Sequence, residues 1–204
     1  KGETLASRRP RIATHHTREM GDVSLGFDLR HPWAELTEIT PSGALDEFHR
    51  KSMRNDYPLL AIWEMGVRKL RVPIQDFEAP DVRERIRALV HQGHRFTVIS
   101  HGAPGDAQQR LLIENHDLIS RWEVAVPMSK IDDALQGLRA VKAKVSFPIF
   151  LAKLRMKVDV IKQGEPYFHL ISYGFVPEDA DEIAALRRDV NTADVFSGFA
   201  FRIG

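Results

Sequence analysis

A chain of 204 residues, 43% hydrophobic and 28% charged, is long enough to bury a full core as one domain. Its 29 lysines and arginines stand against 28 acids, and a net charge of +1 provides no long-range field to gather nucleic acid or an anionic membrane. The absence of cysteine removes disulfides, thiolate nucleophiles and cysteine-ligated zinc together, and no apolar run approaches the roughly 20 residues of a membrane-spanning helix; the expectations are no nucleic-acid partner, no membrane partner and a cytoplasmic location.

The chain starts with Lys rather than Met, so residues 1–204 are expected to be a single domain that is either whole or a piece of a longer polypeptide. RIATHH (11–16) and VSLGFDL (23–29) read as strands, and the TREMGD between them is too short for a crossover helix, which suggests a hairpin. GALDEFHRKSMRN and YPLLAIWEMG read as helical, divided by Pro58. From Lys69 one alternation repeats. KLRVPI (69–74) precedes DVRERIRALVHQ, whose Val82, Ile86, Leu89 and Val90 fall at helical spacing before Gly93. RFTVISH (95–101) precedes DAQQRLLIENHDLIS, with Asp106 as the expected N-cap. RWEVAVP (121–127) precedes IDDALQGLRAV, where Ile131, Ala134, Leu135, Leu138 and Val141 share one face. FPIFLAKL (147–154) is followed by RMKVDVIKQGEPY, which reads as a β excursion turning at KQGE. FHLISYGF (168–175), a helix from about Glu178 to Asn191 and VFSGFAFRI (195–203) complete the pattern.

Strands separated by single helices at intervals of about 25 residues pair in parallel. From Lys69 to Ile203 the pattern resembles the TIM-type (β/α)8 barrel superfamily at the level of the fold. The irregular first strands imply a barrel that is distorted or incomplete at its N-terminus; an open doubly wound parallel sheet is the alternative.

Such a fold gathers its working groups at the C-terminal strand ends. That topology nominates His101, Asp76 and Tyr173 as acid or base candidates, and Gln75, Ser129 and Arg202 as ligand-binding candidates, with Arg30 and His31 at an earlier strand end. Lys153 occupies the strand that resembles the Schiff-base position of class I aldolases, and apolar neighbours are expected to lower its pKa. THHT resembles the strand-to-histidine element of calcineurin-type metallophosphoesterases, which implies a divalent metal held by His15 and His16. The other signatures of that family are absent, and adjacent strand residues point to opposite faces. Alternation also places Arg71 and Glu123 on the inner face, near His169, where a buried charge requires a partner; an Arg71–Glu123 ion pair is expected. Phe27, Trp33, Phe48, Tyr57 and Trp63 concentrate aromatic area in the first third of the chain and suggest either end-packing or a surface for another domain.

Two functions follow as expectations. One is a small-molecule enzyme of lyase or hydrolase type with its site at the strand ends. The other is a non-catalytic accessory or interaction domain of a larger protein, such as a metallophosphoesterase-like hydrolase.

Overall fold

Alternating side chains decide which way each strand faces. In β4 (Lys69–Pro73), Leu70 and Val72 are buried while Lys69, Arg71 and Pro73 are not. The same two-sidedness recurs in β5 (Arg95–His101), where Phe96 and Val98 are buried, in β6 (Ile119–Val126) with Trp122 and Val124, and in β7 (Ile149–Arg155) with Ile149 and Leu151. These residues form one core with Ile86 and Leu89 of α2 (Pro80–His91), Leu112 of α3 (Asp106–Glu114) and Leu135, Leu138 and Val141 of α4 (Ile131–Lys142). The computed structural model describes residues 25–29, 33–34, 36–39, 51–155 and 172–202. His15, His16, Arg30, His31, Phe48 and His169 lie outside the described residues, as do the RIATHH strand and the KQGE turn.

Six parallel strands form the main sheet. β1 (Gly26–Asp28) pairs with β4, β4 with β5, β5 with β6, β6 with β7, and β7 with β9 (Gly198–Phe199). The order steps steadily in one direction, and among the described residues no pairing joins β9 to β1. These strands build an α/β sheet flanked by helices, an arrangement with which the open-sheet alternative is compatible. No helix among the described residues is long and apolar enough to cross a membrane.

Several expectations need correction. Residues of GALDEFHRKSMRN read as helical, but Lys51–Arg54 forms β3, antiparallel to β2 (Leu36–Ile39); Thr37 and Ile39 supply the β-favouring side of a pairing that local propensity does not report. YPLLAIWE is helical as expected (α1, Tyr57–Glu64), with Pro58 tolerated in its first turn. Asp106 is the first residue of α3 rather than its cap, and the helix stops at Glu114 so that Ile119 can begin β6. Only part of FHLISYGF lies among the described residues, and the parallel strand expected of it is there reduced to a single parallel bridge, Phe175 with Phe201. Within it β8 (Ser172–Tyr173) runs antiparallel to the end of β7, with Leu154 opposite Tyr173. The helix read from Glu178 to Asn191 is two helices, α5 (Ala180–Arg188) and α6 (Val190–Val195). Between them Asp189 takes an extended backbone and accepts hydrogen bonds from Asn191 N and Thr192 N at 3.3 and 3.1 Å, capping the second helix.

One irregularity sets the phase of β6. Its register against β5 skips Ser120, so that Phe96 faces Ile119 while Thr97 faces Arg121. Ser120 donates from Oγ to the Phe96 carbonyl at 2.8 Å. The extra residue allows Ile119 and Trp122, three positions apart, both to reach the core.

Candidate functional site

The face of the sheet opposite the core carries a charged and polar row beside a largely apolar one. Register aligns Asp28, Arg71, Thr97 and Arg121 in one row, and Pro73, Ile99, Glu123, Phe150 and Gly198 in the next. Arg71 is the hub. Its guanidinium lies 2.9 Å from Glu123 Oε2 and 3.7 Å from Asp28, and it donates to Tyr173 Oη at 2.9 Å while covering the tyrosine ring at 4.6 Å from the centroid. The expected Arg71–Glu123 pair is thus present, and Tyr173 completes it. His101, exposed at the end of β5, meets Tyr173 edge-on with ring centroids 5.4 Å apart.

A turn brings Tyr173 here. Gly174, at φ +110°, reverses the chain after β8, and a Cβ on it would stand 2.7 Å from the Arg202 nitrogen, so no other residue fits without strain. Arg202 anchors this turn through its own backbone, donating to the Phe175 carbonyl at 2.8 Å.

Beside the hub lies a cavity of about 320 Å³, lined by Arg71, Arg121, Glu123, Tyr173, Phe150 and Phe199 together with Gly174, Ala200 and Phe201. Its size falls at the small end of ligand pockets. Arg121 stacks its guanidinium over the Phe150 ring at 4.4 Å. Among the described residues no carboxylate lies within ion-pairing distance of it.

Protonation follows from these contacts. Partial burial, reinforced by Arg71 and only partly offset by Asp28, holds the His101 pKa below its ordinary value, and the ring is neutral at pH 7. Burial lifts the Tyr173 phenol above its ordinary value despite Arg71, with Asp28 and Glu123 adding to the rise. Because its oxygen accepts from Arg71, its own O–H is available as a donor.

The other nominated residues do not join this cluster. Lys153 follows Ile149 and Leu151 onto the helix-covered side, where its ammonium lies 2.8 Å from Asp179 and 2.6 Å from Glu182. Burial alone would lower its pKa; the two carboxylates outweigh that and raise it, which reverses the premise of a Schiff-base nucleophile. Asp76 is turned into the core, 3% exposed, and accepts a 2.6 Å hydrogen bond from Trp33 Nε1. Gln75 and Ser129 sit exposed on short 3-10 turns. The metal reading of His15 and His16 falls outside the described residues; among the described residues no group of three or more histidines and acids could hold a metal ion.

Arg121, Phe150 and Phe199 are the residues that reading the strand ends missed. The alternation that places Glu123 on the inner face places Arg121 there too, two positions earlier, so the signal was present. Searches against protein-family models, curated proteins and solved structures gave no match. The geometry of this α/β domain therefore carries the functional argument alone.

Proposed function

We propose that the chain is a small-molecule-binding domain, in the manner of an incomplete (β/α) barrel, whose site is the polar face around Arg71 and Tyr173. The observation that supports it is a ligand-sized cavity in which a guanidinium without a carboxylate partner among the described residues stands beside a neutral, pre-ordered Arg–Glu–Tyr cluster. Binding is the core of the reading. If a reaction follows, Tyr173 as proton donor and neutral His101 as acceptor are the groups placed to serve it, in place of Lys153 and Asp76.

A thermal-shift screen of small polar metabolites tests this reading. A ligand at 100 times its Kd stabilises the fold by about 2.7 kcal/mol, and the shift should vanish in Arg121→Ala. A hit that shifts both proteins equally would place the ligand elsewhere.

One observation favours the interaction-domain alternative. Tyr57, Leu60, Trp63 and Met65, on and just after α1, are exposed together, as are Leu36, Ile39 and Met53 of the β2–β3 hairpin. Under that reading the isolated chain self-associates on concentration, and Leu60→Ser with Trp63→Ser suppresses it. Sedimentation showing a monomer at every concentration counts against it.

A further inference from the structure

The charges of the face around Arg71 are unevenly placed. Arg71 is matched where it stands, by Glu123 at 2.9 Å and Asp28 at 3.7 Å. Among the described residues Arg121 has no such carboxylate, and register sets its backbone two strands away from Arg71, about 10 Å by ordinary strand spacing. Two guanidiniums thus face two carboxylates, but both carboxylates stand at Arg71, which leaves the locally uncompensated positive charge at Arg121.

The way Arg121 is held narrows what it can take. Stacking on Phe150 occupies the flat face of the guanidinium and leaves the in-plane N–H donors without a carboxylate among the described residues. In-plane donors fit a planar carboxylate in the two-bond mode. A phosphate dianion fits less well, since the only other cation of the described lining, Arg71, is already matched, and its second charge would approach Glu123, the register partner of Phe150. The rest of the lining is the Tyr173 phenol and the aromatic and small residues Phe150, Phe199, Phe201, Gly174 and Ala200. Phe199 and Phe201 form a wall with Ala200, and the Phe150 ring is fixed in place because Gly198 lacks a side chain; a Cβ there would come within 2.7 Å of it.

We infer that the ligand is a monocarboxylate on an apolar body, with its carboxylate gripped by Arg121 and its body laid against Phe199 and Phe201. This rests on the small-molecule reading above and assigns it a chemical class.

Amide NMR titrations of the whole chain with benzoate, acetate, inorganic phosphate and benzylamine test the assignment, read at the Gly174 and Ala200 amides of the lining. Benzoate should shift these amides saturably, and acetate, lacking the apolar body, should bind at least about tenfold more weakly. Arg121→Gln should weaken benzoate about tenfold or more, with Arg121→Lys between the two, because a lysine keeps the charge and loses the planar fork. Arg121 is exposed, so its variants should fold normally. Phe201→Ala supplies a second probe that weakens benzoate and spares acetate. Tighter binding of phosphate or benzylamine at the same amides overturns the carboxylate assignment while keeping a small-molecule site. Benzoate binding undiminished in Arg121→Gln overturns it as well. If none of the four probes moves these amides, the assignment and the site reading fall together.

Discussion

The two faces of the main sheet are made from the same strands and obey opposite rules. On one, Val72, Val98, Trp122, Val124 and Leu151 are fully buried against helices. On the other, Arg71, Glu123, Tyr173 and Arg121 make contacts through charge, ring faces and hydrogen bonds around a cavity. The comparison shows a division of labour within single strands: the even positions of β4 hold the fold while Arg71 is available for a ligand site.

Substitutions that cross between the faces should give a graded response. Trp122→Ala should be the most damaging. It empties a fully buried indole site and strands Ser100, whose Oγ accepts from the Trp122 Nε1 at 3.1 Å, and a loss of about 3–5 kcal/mol in urea-unfolding free energy is expected. Next comes Asp179→Asn, which leaves Lys153 with Glu182 alone and weakens the bond at 3.0 Å to the buried Arg155, for about 3 kcal/mol.

That variant also carries a pH signature. Burial pushes the Asp179 carboxyl up, but Lys153, the Val176 N–H and Arg155 together hold it below its ordinary value of 3.8. A depressed folded pKa means the stabilisation is complete above the unfolded value and is lost as pH falls through the lower folded value. Acid unfolding curves of Asp179→Asn should therefore be flatter below about pH 4 than those of the parent. An equally steep curve would assign the acid sensitivity to other carboxylates.

Arg71→Met should fall between the two faces, costing about 1–2 kcal/mol, because Glu123 is left half-buried without its cation and the Tyr173 hydroxyl loses a donor. Arg121→Ala should be the mildest, within about 0.5 kcal/mol by chemical denaturation, since the side chain is exposed and only a ring contact is lost. A large loss at Arg121 would erase the distinction between the faces.

The same contrast explains what the sequence revealed. The core face was legible because period 2 in the strands and the helical spacing of Ile131, Ala134, Leu135, Leu138 and Val141 are local signals, and all five of those residues are buried. Alternation also sufficed to pair Arg71 with Glu123 across two strand spacings. Lys153 was misjudged because the acids that neutralise it, Asp179 and Glu182, arrive 26 and 29 residues later on another element. Asp76 looked like a site residue because it ends a strand, yet its partner Trp33 lies 43 residues earlier. Antiparallel β8 was equally invisible, since a two-residue pairing leaves almost no periodic trace.

The skipped residue at Ser120 has a consequence for how this chain tolerates change in length. Removing Ser120 would leave Ile119 and Trp122 two positions apart, so that strict alternation alone sends both to the core side of the sheet. Removing Glu123 instead would make Trp122 and Val124, both fully buried, direct neighbours on opposite sides of the sheet, and one of them would be turned out of the core. Length variation that the strand absorbs at Ser120 would, three residues further on, exchange the inside of the molecule for its outside.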